Sequence, residues 1–277
     1  MKVVLFCGGL GTRLREHSSA IPKPLVNVGY RPIIWHLMRY YAHFGHTDFV
    51  LALGYRGDMV REYFLKYNEC MSNDFTMSDG GATIQLHRRD IADWTITFVD
   101  TGLHSNIGQR LLRVRHLLDG EPAFLANYSD GLSDLPLDRL VDDFRRKNVV
   151  ATCASVRPSQ SFHFVHADAG GIVRRMGPFG DDRSFINGGF FALRSDIFDY
   201  VKEGEELVEQ PFARLIERGL LSTWRHDGFW QPMDTLKDKI TLDRLEARGE
   251  CPWMVWSNGQ GAGSECRPSG HLRDPLS

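Results

Sequence analysis

Residues 3–14 read VVLFCGGLGTRL, and this stretch decides the fold. Val3 to Cys7 is a short, β-branched-rich apolar run that breaks at Gly8 and Gly9, the pattern of a buried strand feeding a tight loop. Glycines at the carboxyl end of a strand let backbone N–H groups approach an anion with no Cβ in the way. Arg13 adds a planar guanidinium, and Lys23, within Pro22-Lys23-Pro24, adds a point charge. The loop is not a Walker A sequence, because no Gly-Lys-Ser/Thr closes it. Nor is it G-x-G-x-x-G, because Leu14 stands at the third glycine's place. Taken alone it reads equally well as a glycine turn after a core strand with solvated charges.

Working outward, Pro32 to Phe44 predicts a helix, with proline suited to its first turn and Gly45 to its stop. The helical spacing of Trp35, Tyr40, Tyr41 and Phe44 marks a core or subunit face rather than a stacking surface. Phe49 to Leu53 is a second buried strand ending at Gly54, and Asp58 to Tyr67 carries helical spacing. Extended runs at Thr83 to His87 and Trp94 to Val99 precede a helical run, Arg110 to Leu118, and another buried strand, Ala123 to Asn127. This alternation predicts an α/β fold with a mainly parallel sheet and helices on both faces.

Beyond Asp130 the pattern changes. Strands at Val149 to Val156, Gly171 to Met176 and Phe185 to Leu193 follow without long helices between them, which predicts a small antiparallel extension beside the main sheet. Helices at Pro211 to Arg218 and Leu236 to Arg248, with a strand at Leu221 to His226 between, close one domain over residues 1–256. Residues 257–277, rich in Gly, Ser and Pro, read as a disordered tail.

A chain of 277 residues with 42% hydrophobic and 25% charged residues is ordinary globular material. Its formal net charge of -2 excludes the basic footprint of a dedicated nucleic-acid binder. The first apolar run falls far short of the roughly 20 residues that span a bilayer, so neither signal peptide nor anchor is expected. Five scattered cysteines, never spaced C-x-x-C, point away from a disulfide framework or a zinc site and toward a reducing cytoplasm. His163 and His166 with Asp168 read as polar surface residues, since no third ligand at zinc spacing accompanies them.

Two aspartates complete the candidate chemistry. Asn127-Tyr128-Ser129-Asp130-Gly131 follows a buried strand, and ligands in open α/β sheets gather at the carboxyl ends of strands, so Asp130 is expected on the glycine loop's rim. In Gly228-Phe229-Trp230-Gln231-Pro232-Met233-Asp234-Thr235, Asp234 precedes a helix and on its own reads as an N-cap. The conjunction changes that. Two carboxylates with a phosphate-cradling loop suit a Mg²⁺ that bridges protein to phosphate oxygens, and so phosphoryl or nucleotidyl transfer. A phosphate-monoester acceptor is already anionic and needs no general base, so the lack of an obvious catalytic His or Cys is no obstacle.

The glycine loop, Lys23-Pro24-Leu25, the Ser-Asp-Gly at 129–131, Ile186-Asn187-Gly188-Gly189-Phe190-Phe191 and GFWQPMDTLKDK at 228–239 together resemble the sugar-1-phosphate nucleotidyltransferases. Gly54-Tyr55-Arg56-Gly57, Val99-Asp100-Thr101-Gly102 and Pro252-Trp253 are similar to the glucose-1-phosphate cytidylyltransferase subgroup. The likeness runs in collinear order from Met1 to about Trp256. It implies a Rossmann-like fold of the nucleotide-diphospho-sugar transferase type and the reaction of CTP with a sugar 1-phosphate to give CDP-sugar and pyrophosphate. By matched positions, Phe6, Cys7, Gly8, Gly9, Leu10, Gly11, Thr12, Arg13, Lys23, Ser105, Arg110 and Ser129 would bind the nucleotide. Asn187, Gly188 and Arg175 would bind the sugar phosphate, and Asp130 and Asp234 would hold Mg²⁺. Arg13, Lys23, Asp130 and Asp234 would carry catalysis. The resemblance also implies a homo-oligomer, with a hexamer as one form.

The departures are specific. Where the family has Glu-Lys-Pro, whose lysine binds the sugar 1-phosphate, this chain reads Arg175-Met176-Gly177-Pro178-Phe179. Arg174, Arg175 and Arg183 are the candidates to replace that charge, for an acceptor of different size or substitution; the alternative is a nucleotide-sugar-binding protein that has lost efficient turnover, against which the retained Asp130 and Asp234 argue. Ser129 stands where the subgroup has glycine, Gln109 replaces the second glycine of a pair, and an Arg-Phe-Gly segment has become Ser161-Phe162-His163-Phe164.

Overall fold

The computed structural model describes residues 1–9, 21–158, 163–168, 170–178 and 185–257. Leu10, Gly11, Thr12, Arg13 and Arg183 lie outside the described residues, as does the expected tail beyond Ser257.

The sequence builds one seven-stranded sheet from β1 (Val3–Cys7), β2 (Asp48–Leu53), β3 (Thr95–Asp100), β4 (Ala123–Asn127), β5 (Ala151–Val156), β6 (Ile186–Arg194) and β7 (Leu221–His226). Their order is β7-β5-β6-β4-β1-β2-β3. Every neighbouring pair is parallel except the two that β6 makes with β5 and β4. So β6 alone runs against the rest, and its first residues, Ile186 to Gly189, lie at the same rim as the carboxyl ends of the other strands.

Residues alternate across this sheet because successive strand side chains point to opposite faces. Val3, Leu5 and Cys7 share one core with α1 (Ile33–His43), α2 (Gly57–Leu65) and α4 (Leu137–Lys147). Val4 and Phe6 share the other with α3 (Ile107–Val114) and α5 (Gln210–Glu217). Helices therefore cover both faces, and Trp35, Tyr40 and Tyr41 are buried core residues. The C-terminal helix α6 (Leu236–Ala247) and the segment after it close the first core through Leu242 and Trp253. The Trp253 indole donates to His36 Nδ1 at 3.4 Å while His36 Nε2 donates to the Val28 carbonyl at 2.9 Å. Burial pushes this imidazole down to about 4, so it stays neutral with both nitrogens used.

Four placements differ from expectation. Strands β5 and β6 belong to the main sheet rather than to an extension, and the hairpin His163–Ala167 with Val173–Pro178 forms a separate two-stranded antiparallel sheet. Thr83–Leu86 pairs with Phe75–Ser78 in a separate hairpin. Helix α4 adds an element, its apolar stripe of Leu137, Leu140, Val141 and Phe144 buried against the sheet. Also, α3 begins at Ile107, three residues before the expected start, because Asn106 and Gln109 form a capping box that sets its first turn.

Candidate active site

The site lies where β1, β2, β3 and β4 end together. Arg110, only 3% exposed, ties three of those ends: Nη1 donates to Leu53 O (3.1 Å), Thr101 Oγ1 (2.7 Å) and Gly102 O (3.0 Å), and Nη2 to Gly8 O (3.0 Å). A Cβ on Gly8 would sit 2.0 Å from the Arg110 guanidinium carbon, so glycine is required there by this strap as much as by any ligand. Arg110, expected as a nucleotide contact, directs these donors to the backbone carbonyls of Gly8, Leu53 and Gly102 and to the Thr101 hydroxyl. Phe6 and Cys7 likewise have buried side chains and form the root of the loop; burial pushes the Cys7 thiol up to about 12. Ser105 donates its hydroxyl to Thr101 O within the turn that leads into α3.

Lys23 stands on a short 3-10 turn, Lys23–Leu25, flanked by Pro22 and Pro24 and closed by bonds from Leu25 N to Pro22 O (2.8 Å) and Val26 N to Lys23 O (3.1 Å). Asp130 leaves β4 through a turn in which Ser129 takes a left-handed conformation, φ 65°. Ser129 N donates to Asn127 Oδ1 (3.0 Å), and its hydroxyl donates to Phe6 O (2.8 Å), stitching β4 to β1. Glycine would adopt that φ without strain; serine adopts it while making a cross-strand bond that glycine lacks.

Asp234 is joined to the Asp130 loop by backbone. Trp230–Pro232 pairs antiparallel with Gly131–Ser133, and Met233 N donates to Asp130 O at 2.8 Å. The N-cap of α6 is Thr235, in a capping box with Asp238, whose carboxylate also accepts from Asp234 N at 3.2 Å. Asp234 is therefore not the cap, and its own carboxylate is left for Lys23. At the other end of this ladder, Asp134 Oδ1 accepts from His226 Nε2 (2.8 Å) and Phe229 N (2.7 Å). Neither the Asp238 cap nor this clamp was anticipated, though Thr-x-x-Asp at 235–238 is a readable capping-box pattern.

These three loops bring one ammonium between two carboxylates. Lys23 Nζ donates to Asp130 Oδ2 at 2.7 Å and to Asp234 Oδ1 at 2.6 Å. The three side chains keep 14%, 30% and 35% of their surface, shielded yet open to a ligand. Burial pulls the Lys23 pKa down, but Asp130 and then Asp234 outweigh it and hold the ammonium above the usual lysine value. Burial raises Asp130, opposed by Lys23 and reinforced by Asp234, leaving its carboxyl above the ordinary range. Hard carboxylate oxygens converging on one point fit a divalent ion of the Mg²⁺ type, and a cation already holds the pair together here.

Across β4 the rim continues into β6. Asn187 is exposed; its Nδ2 donates to Tyr128 OH (3.2 Å), and its Oδ1 accepts from Gly189 N (2.9 Å). Gly188 O accepts from the Trp230 indole at 2.9 Å, joining this strand to the Asp234 segment. Of the candidates for the absent lysine, Arg174 is paired with Asp168 at 2.6 Å, and Arg175 lies in the outlying hairpin opposite His166.

Comparison with known proteins agrees with this architecture. The family described as Nucleotidyl transferase matches residues 2–232. The glucose-1-phosphate cytidylyltransferases of Salmonella typhi and Salmonella typhimurium are each 38% identical to this chain over 257 residues, covering 92% of it and 100% of each relative. The crystal structure of UDP-glucose pyrophosphorylase complexed with UDP-glucose superposes with a TM-score of 0.63 at 14% identity, over 90% of this chain and 98% of that one, a likeness of fold.

Proposed function

The chain belongs to the nucleotidyl transferase family, and we propose that it transfers a cytidylyl group from CTP to a sugar 1-phosphate, with glucose 1-phosphate as the reference acceptor and Mg²⁺ as the metal. The observation that carries this reading is the Lys23 ammonium held between Asp130 and Asp234 at the rim of the glycine loop. An oxygen of the sugar phosphate attacks the α-phosphorus of CTP in line, the bond from α-phosphorus to the bridging oxygen breaks, and pyrophosphate leaves with that electron pair. No proton has to be removed from the nucleophile, so the site's work is positioning and charge neutralisation.

Lys23 contributes a fixed positive charge beside the phosphates in transfer. Asp130 and Asp234 would hold Mg²⁺, which when bound supplies charge neutralisation on the phosphate oxygens. The backbone of Gly8 and Gly9 offers donors to the nucleotide, and by its matched position in the sequence Arg13 would steady the departing pyrophosphate. Asn187 and Gly188, across the sheet, receive the sugar. We further read the protein as a cytoplasmic homo-oligomer, on the scattered unpaired cysteine pattern of the sequence and on exposed Phe75, Met77 and Ile84, which cluster on one hairpin.

The test is pyrophosphate release with Mg²⁺, glucose 1-phosphate and CTP, UTP, dTTP, ATP or GTP supplied separately. Release with CTP above the other four supports the reading. Preference for another nucleotide contradicts the base assignment, and silence with all five, while CTP binds, contradicts turnover on this acceptor.

A further inference from the structure

At the edge of the sheet, beyond Asn187, two arginines and a phenylalanine converge. Ser155 in β5 is in register with Asn187 in β6 on one side and with Arg225 in β7 on the other. Directly opposed residues share a face, and the period of two puts Phe185, Arg157 and Asp227 on that same face. Their contacts agree: the Arg225 guanidinium lies 4.3 Å from the Phe185 ring centroid and that of Arg157 5.4 Å. Asp227 accepts from both, from Arg157 Nε at 3.0 Å and from Arg225 Nε at 3.0 Å and Nη2 at 3.2 Å. One carboxylate thus aligns two planar forks beside an aromatic face. The side chains of Arg225 and Arg157 remain 54% and 38% exposed.

Like charges on neighbouring strands repel, so gathering them without use costs stability. A bland account exists, since β7 is an edge strand and charged edges discourage strand addition. It explains Arg225 alone; Arg157 lies just past β5, an interior strand, and turns toward the same carboxylate and ring. Position decides what such a pair would recognise. At the usual strand spacing, Arg225 is two strands or about 10 Å from Asn187, and about 14 Å from the end of β4 where Asp130 departs. A phosphate in transfer belongs beside Lys23 and the two aspartates. The arginines therefore stand on the far side of Asn187 from the reacting phosphate.

We propose that Arg157 and Arg225 form an anion-recognising wall of the acceptor pocket, so that the preferred acceptor is a sugar 1-phosphate bearing a second anionic group, carboxylate or phosphate, remote from C1. This rests on the reading of Asn187 and Gly188 as the sugar site. A guanidinium pair held by Asp227 and stacked on Phe185 is preorganised for a planar or tetrahedral oxyanion.

The experiment compares kcat/KM, with CTP and Mg²⁺, for glucose 1-phosphate, glucuronic acid 1-phosphate and glucose 1,6-bisphosphate in the wild type, Arg225→Gln and Arg157→Gln. The expected result is a preference of about tenfold or more for one of the charged acceptors over glucose 1-phosphate, with that ratio falling about tenfold in Arg225→Gln. Which charged acceptor wins distinguishes carboxylate from phosphate. A ratio at or below one in the wild type, or a ratio that neither substitution moves, overturns the proposal. If no acceptor is turned over, the transfer reading fails by itself, and calorimetry of the same compounds decides the wall. Tighter binding of a charged acceptor to wild type than to Arg225→Gln supports it; equal binding refutes it.

Discussion

The two sides of the rim are built differently. On the β1–β4 side, the Asp130 and Asp234 loops are joined by main-chain bonds, Met233 N to Asp130 O and the ladder between 131–133 and 230–232, and buried side chains bind main-chain carbonyls around them: the Ser129 hydroxyl on Phe6 O and the Arg110 strap over Gly8, Leu53 and Gly102. On the β5–β7 side, the contacts among Arg157, Phe185, Arg225 and Asp227 run through exposed and half-buried side chains. Backbone pairing fixes positions to a fraction of an ångström, which charge neutralisation at a reacting phosphorus requires. Side-chain contacts on a sheet edge can be exchanged without moving the strands. The chemistry is thus set into the sheet, and recognition is laid on its surface.

The sharpest way to break that comparison is at the carboxylates. Asp130→Asn and Asp234→Asn should each lower Mg²⁺-dependent pyrophosphate release by about a hundredfold or more while the circular dichroism spectrum stays that of the wild type, since a neutral amide is a weaker metal ligand and a weaker partner for Lys23. Next in size is the strap. Arg110→Met removes a buried charged donor from the carbonyls of Gly8, Leu53 and Gly102 and from the Thr101 hydroxyl, and a loss of roughly 3 kcal/mol or more in urea unfolding is expected, with weakened CTP binding as its companion.

Ser129 gives a smaller and more diagnostic effect. Ser129→Ala keeps the left-handed strain and loses the bond to Phe6 O, for a cost of about 1–2 kcal/mol. Ser129→Gly loses the same bond but relieves about 1–2 kcal/mol of strain, so its unfolding midpoint should stay near that of the wild type. Equal destabilisation by both would show that the turn is not strained. Smallest of all, Arg225→Gln should change stability by no more than about 0.5 kcal/mol, as expected for an exposed side chain. A larger loss would mean that the outer cluster is structural.

Much of the inner region was legible because it is local. The β-branched run before Gly8, the polar break after Asn127 and the helix start after Asp234 each announce themselves within a few residues. The Leu137, Leu140, Val141 and Phe144 stripe of α4 was equally present, but the acidic and basic residues between them mask it. What the sequence hid depends on chain crossings. Arg110 reads as one more helical cation until the ends of three strands are seen to meet above it. The direction of β6, which brings Asn187 to the reactive rim, follows from sheet order rather than from its own residues. Arg157 and Asp227, 70 residues apart, become partners only because β5 and β7 are parallel neighbours. Arg174, a natural substitute for the absent lysine by sequence, is occupied by Asp168 in a hairpin outside the main sheet.

The most direct test of the central claim is the rate of pyrophosphate release from CTP and a sugar 1-phosphate as Mg²⁺ is titrated, in the wild type and in Asp234→Asn. A saturable Mg²⁺ dependence in the wild type, with Asp234→Asn requiring far more metal and reaching a far lower rate, is the expected result. Identical titration curves for the two proteins would contradict the account, because Asp234 would then have no part in holding the ion that neutralises the transferred phosphate.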